Sequence, residues 1–222
     1  MSRDRIYLVR DLRAPAAWAK ALLLAQAVIV AVAVAVALGH GSGFDDDPGG
    51  SAAYALTSAL QVLAFVVTGV VVLRWIYLAC ANVHAFGAEG LGSRPGMAVA
   101  WYFVPVACLF LPFQSMREIW KASRDPRDWE AVDGSSLLGL WWLGWVLGNA
   151  IGIVAFRLDD SDRFPEASAY AEMLTTASDV LTIVTSLLLA RIIGRITTLQ
   201  TESRQHDTSR QAQPNGQNIA SG

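Results

Sequence analysis

The 222-residue chain is short of charge, with Asp, Glu, Lys and Arg together at only 16%. A water-soluble domain carries about a quarter. It has two cysteines, too few for a disulfide-stapled secreted scaffold. Lysine is nearly missing, at Lys20 and Lys121 alone, and a net charge of −2 excludes a strongly basic nucleic-acid binder. No H-E-x-x-H, G-x-S-x-G, P-loop or G-x-G-x-x-G is present, so no enzyme class is indicated. Cys80 and His84 stand four apart, on one face of a helix, but a metal site needs more ligands than this pair offers. The expectation is a non-enzymatic protein with no cofactor and no metal.

What the chain has is apolar length. A bilayer core about 30 Å thick needs roughly 20 apolar residues in a helix. Four runs reach that scale: Ala21–Leu38, Ala53–Leu73, Leu137–Phe156 and Ala171–Ala190. The Ala–Val alternation from Ala31 to Ala37 resembles a strand, yet a lone strand in lipid leaves its backbone unpaired, so the run reads as helix. The first run is longer than a signal-peptide core, and Asp4 and Asp11 precede it, which favours a retained anchor. A fifth run, Met97–Phe113, is short and carries Pro105 and Pro112.

Lysine and arginine decide the orientation. If the fifth run crosses, nine positive residues fall inside and eight outside, which is no bias. If it enters and leaves on one side, fifteen fall inside and two outside. The second arrangement obeys the positive-inside rule. The expected fold is therefore an all-α integral membrane protein: a four-transmembrane-helix bundle with both termini cytoplasmic. Its spans run at about 18–38, 53–73, 137–156 and 171–190. A proline-kinked re-entrant or interfacial segment, 97–130, lies between helices 2 and 3. The membrane domain covers 1–196, and the polar stretch 197–222 reads as a disordered cytoplasmic tail. The excess of arginine over lysine and the abundance of alanine fit a GC-rich bacterial genome.

The stretch Trp101–Ser123 carries a W-F-x-P core, a second proline seven residues on, then M-x-E-I-W. The positions are Trp101, Phe103, Pro105, Pro112, Met116, Glu118 and Trp120. Arg74-Trp75, Asn82 and Gly87 form a second element, and Arg195-Ile-Thr-Thr-Leu-Gln200 a third. Together they resemble the bacterial membrane family called domain of unknown function 4328, over most of residues 10–204. The chain is more apolar than the family pattern at Leu78, Ala81, Cys108 and Leu111. The resemblance implies a membrane fold and no particular activity.

Several residues stand out as candidate sites. Asp179 is an ionisable group inside a span, which is costly and so a functional hypothesis by default. Helix rise places it about 12 Å from the outer end of its span. Gln61 and Asn149 fall at about the same depth, so the three form a candidate polar layer, a pocket or a structural hydrogen-bond cluster. Gly144, Gly148 and Gly152 repeat G-x-x-x-G, and Ser178, Thr182, Ser186, Ala190 and Gly194 repeat small residues at the same spacing. Such stripes let helices approach closely, here within the bundle rather than between copies. Trp141, Trp142 and Trp145 read as interfacial anchors. Phe113, Met116 and Trp120 recur at helical spacing, and Glu118 reads as an ion-pair partner of Arg117, Lys121 or Arg74. The acidic loop Asp45–Asp47 reads as solvated. The leading functional expectation is an accessory or scaffold protein that meets the lipid bilayer and binds a lipid or another membrane protein, with self-association the sharper variant. The alternative is a small transporter or channel built on the polar layer.

Overall fold

A computed structural model describes residues 7–40, 48–159 and 168–212. Six α-helices follow in chain order among the described residues: α1 (Arg13–His40), α2 (Pro48–Ala85), α3 (Pro95–Ala100), α4 (Leu111–Ala122), α5 (Ser136–Asp159) and α6 (Ser168–Ala212). No strand occurs among the described residues. α1, α2, α5 and α6 are each long and apolar enough to cross a membrane. The run at 97–113 forms no such helix.

The long helices alternate in direction. α6 packs between α1 and α5, and α2 packs on α1. α4 bridges α2 and α5 at one end only. That end, where α1 and α5 begin and α2 and α6 finish, holds most of the packed core: Leu12, Trp75, Ile76, Met116, Ile119, Leu138, Trp141, Ile192, Ile193 and Ile196 are all buried. We call it the collar. At the other end α2 stands apart. From Leu56 to Val67 none of its described side chains is buried.

α2 and α6 outrun the apolar lengths that their sequences suggest. At about 1.5 Å per residue, 38 residues make α2 about 57 Å long and 45 make α6 about 68 Å. The expected disordered tail from residue 197 is corrected here. α6 continues through Ala212, and Thr197 and Gln200 are buried in the collar. Polar composition read as solvated tail is instead a helix whose inner face is polar and bonded. Residues 213–222 and the acidic loop Asp45–Asp47 lie outside the described residues.

α2 stops for a local reason. Gly87 adopts φ +87, the left-handed region that glycine enters without steric cost. Its N–H donates to the His84 carbonyl and the Ala88 N–H to that of Val83, the bond pair of a Schellman cap. Ala88 and Val83 then pack together with Ala122.

The chain next makes a closed excursion. α3 gives way to two 3₁₀ turns, Trp101–Phe103 and Ala107–Leu109, before α4. Pro95 and Pro112 each sit in the first turn of a helix, where a missing N–H costs nothing. Between the 3₁₀ turns, Ala107 N–H donates to the Pro105 carbonyl across Val106, whose φ is +66. This is a strained γ-turn, which sharply reverses the chain. Both ends of the excursion lie at the collar, since Ser93 and Ser115 hydroxyls meet at 2.8 Å. Its tip exposes Phe103, Val104, Val106, Leu109 and Phe110.

Candidate functional site

The collar is held by buried amides. Asn82 accepts the Arg10 N–H at 2.8 Å through Oδ1. Its Nδ2 donates to the Arg10 carbonyl at 2.9 Å and to Gln200 Oε1 at 3.0 Å. Gln200 Nε2 in turn donates to the Ala79 carbonyl at 3.1 Å and to Ser123 Oγ at 2.8 Å. The Ser123 hydroxyl donates to the Ile119 carbonyl. Trp75 Nε1 donates to Thr197 Oγ1 at 3.2 Å. Asn82 is 1% exposed and Gln200 2%, so each unmade bond would leave a desolvated polar group. One network thus locks the segment before α1, α2, α4 and α6 to one another.

A second network closes the excursion. The Ser93 hydroxyl accepts from Trp101 Nε1 and Ser115 Oγ. Cys80 Sγ and His84 Nε2 both address the Ser93 carbonyl, at 3.6 and 3.1 Å. Glu118 accepts the Gly92 N–H at 3.1 Å. Burial pushes its carboxyl pKa up, against the opposing pull of the Gly92 and Ser93 N–H groups. Among the described residues Glu118 pairs with no cation, where its sequence neighbours suggest an ion pair. Lys121 Nζ instead reaches the Glu130 carbonyl.

The motif residues take distinct places. Met116 and Pro112 are buried, and Pro105 is exposed at the excursion's tip. Trp120 is buried with no hydrogen-bond partner at its Nε1, and Arg124 lies over its ring. Trp141 and Trp142 are buried rather than facing headgroups. Trp142 stacks on Trp145 with ring centres 4.9 Å apart, and its Nε1 donates to the Leu109 carbonyl.

The glycine stripe of α5 lies on α6. A Cβ at Gly144 would come within 2.7 Å of Thr185, at Gly148 within 3.4 Å of Leu181, and at Gly152 within 3.0 Å of Ser178. Ser178 Oγ donates to the Gly148 carbonyl. The small residues of α6 divide between neighbours: Ser178 meets α5, and Gly194 lies near Lys20 of α1. The intramembrane layer is not gathered in this way. Asn149 is exposed and donates to the Trp145 carbonyl of its own helix. Gln61 and Asp179 are each half-buried. No hydrogen bond joins any two of the three.

A cavity of about 560 Å³ opens on the collar instead. Arg10, Asp11, Arg13, Asn82, Gln200 and Arg204 are among its lining residues. Asp11 caps α1 by accepting the Arg13 N–H at 2.9 Å. Sequence reasoning counts Arg10 and Arg13 only as topological charges. Nothing in their spacing shows that they share a cavity with Arg204, about 190 positions on.

The family model for a domain of unknown function (DUF4328) matches residues 48–198. The chain belongs to this family. No curated protein and no solved structure matches it. The matched stretch of the DUF4328 protein takes in α2 through most of α6, with Trp75, Asn82, Gly87 and Glu118 inside it. Gln200 lies two residues beyond its end and Arg10 well before its start, so both partners of Asn82 fall outside it.

Proposed function

We propose that this protein is a non-enzymatic accessory protein of the bacterial inner membrane, with its termini and collar in the cytoplasm. Its four apolar helices hold it in the bilayer, and it acts by offering surfaces to a membrane partner or to lipid. One observation carries this reading. The outer half of α2 exposes Leu56, Leu60, Leu63 and Phe65, and none of its described side chains from Leu56 to Val67 is buried. In a bilayer that length of helix meets lipid or another helix. Gln61 on the same stretch supplies an amide able to hydrogen-bond across such a contact. The charge asymmetry of fifteen to two supports the orientation.

The excursion fits the same picture. Phe103 and Val106 are each 72% exposed, and Leu109 is bonded to Trp142, two turns into α5. The tip dips into the cytoplasmic leaflet and braces α5 there. A transporter built on Gln61, Asn149 and Asp179 would need these groups to share a water-filled space.

The test is cysteine accessibility in membranes. Cys80 and Cys108 are replaced, and single cysteines are placed at positions 61, 149 and 179, with position 205 as the exposed control. The accessory reading expects a water-soluble maleimide to label 205 and to spare the other three. Labelling at all three would overturn it in favour of transport.

A further inference from the structure

We propose that Gln26, Thr68 and Ser186 form an internal binding site for water, which joins α1, α2 and α6 inside the span. The proposal goes beyond the accessory reading and does not rest on it.

Eleven side chains bearing a hydroxyl, amide or ammonium group are buried among the described residues. Eight of them are hydrogen-bonded, at the collar, in the excursion or along α6. The three left are Gln26, 8% exposed, Thr68, 4%, and Ser186, 7%. Among the described residues none of these three is hydrogen-bonded. A hydroxyl on a helix can satisfy itself on the carbonyl four positions back. Thr176, Thr182 and Thr185 do so along α6, whereas Thr68 and Ser186 do not. A buried polar group with no partner is costly, and more so in a bundle surrounded by lipid.

The three fall at one level. Leu12, Asn82 and Gln200 mark the collar, where Asn82 bonds both Arg10 and Gln200. Gln26 lies fourteen residues after Leu12, Thr68 fourteen before Asn82, and Ser186 fourteen before Gln200. α1 runs away from the collar and α2 and α6 run toward it, so each stands about 21 Å along its helix from that mark. Steps of seven stay close to one helix face. Halfway along these stripes are Ala19, Trp75 and Ile193, all 0% exposed. Trp75 reaches across to Thr197 of α6. The three polar groups therefore continue the inward stripes of α1, α2 and α6, two turns beyond a closed apolar layer.

Chemistry selects the guest. No Asp, Glu, Lys, Arg or His stands within four residues of any of the three on its own helix. The stretch of α5 that packs beside Thr185, Leu140–Gly148, holds none either. An ion would find no counter-charge here, and an unpaired buried charge is costly. One amide and two hydroxyls offer both donors and acceptors, which is what water uses. A buried water typically makes about three hydrogen bonds to groups that the fold leaves unsatisfied. The bundle's own helices cover all three side chains, which leaves no face for a side chain of another protein. Thr68 is also the last buried side chain of α2 toward the outer end among the described residues from Leu56 onward. Water bonded to it is where the attachment of α2 to its bundle ends.

The experiment is water-edited solid-state NMR on the full-length chain in phospholipid liposomes, with nitrogen-15 glutamine. The Gln26 Nε2 signal is assigned by its loss in Gln26→Met. In the wild type, magnetisation passes from water to that amide. Thr68→Val with Ser186→Ala, a pair of near-isosteric changes, reduces the transfer roughly fivefold or more, because the water has lost two of its three partners. A second measurement on the same chains reads melting temperature in detergent. Thr68→Val lowers it by about 2–4 °C in the wild type. The same change costs less than about half as much once Gln26→Met has removed the shared water. No transfer to the Gln26 amide in the wild type overturns the proposal. Undiminished transfer in the double variant does so too, as do melting losses that simply add.

Discussion

At the collar, Asn82, Gln200, Ser123 and Trp75 are buried and bonded across four segments of the chain. Toward the other end of the long helices, Gln61, Asn149 and Asp179 share no bond with one another. Both sets are polar residues on apolar helices, so composition does not separate them. The difference is what surrounds each. The collar has α4 and the segment before α1 to fill the space between α2 and α6, which makes burial complete and bonding obligatory. Among the described residues the outer end has only the four long helices, and α2 buries no described side chain there from Leu56 to Val67.

The sharpest way to break this contrast is to remove the amide at its centre. Asn82→Leu strands the Arg10 backbone groups and Gln200 in a buried site. We expect a loss of roughly 3–5 kcal/mol, read as a melting temperature in detergent. A fall of under about 1 kcal/mol would mean that the network is ornamental.

Next is the α5–α6 seam, which links the two ends. Gly144→Val puts methyls into the space of the Thr185 side chain. Overpacking of this kind costs roughly 1–3 kcal/mol. Thr185→Ala in the same chain is expected to recover part of it, because the clash is with that side chain. If Gly144→Val leaves stability unchanged, the seam is looser than its geometry implies.

Glu118 gives a smaller, pH-dependent effect. Burial raises its carboxyl pKa above the ordinary 4.5. The protonated form is then the better fit to the fold. Its contribution is full below the unfolded value and is lost as pH rises through the folded one. Melting temperature should therefore fall across that window in the wild type and fall less in Glu118→Gln. A parallel pair of curves would contradict this. The smallest effects belong to the outer layer: Gln61→Leu and Asn149→Leu should each shift stability by no more than about 0.5 kcal/mol.

The sequence made the spans legible because bilayer thickness fixes their length and lipid forces them to be helical. It misjudged where α6 ends. Thr197 and Gln200 look like tail by composition, and only their partners Trp75 and Asn82, more than a hundred positions earlier, turn them inward. The three motif elements Trp75–Asn82–Gly87, Glu118–Trp120 and Arg195–Gln200 were visible as a pattern of the family, with no hint that Asn82 and Gln200 bond to each other. Glu118 was expected beside a cation because cations flank it in sequence; on the helix it points instead at the N–H groups of the excursion's entry. Position near a span end suggests anchors at Trp141 and Trp142, but both are buried, and Trp142 stacks on Phe113 of α4. Pairing across the fold is what spacing along one helix does not encode.

The contrast between collar and outer layer is sharpest in the melting temperatures of Asn82→Leu and Asn149→Leu, measured in the same detergent. Both remove one asparagine from an apolar helix. We expect Asn82→Leu to melt about 6–12 °C lower than wild type and Asn149→Leu to stay within about 2 °C. Equal losses, or a larger loss at Asn149, would contradict the claim that the collar is where this protein is locked together.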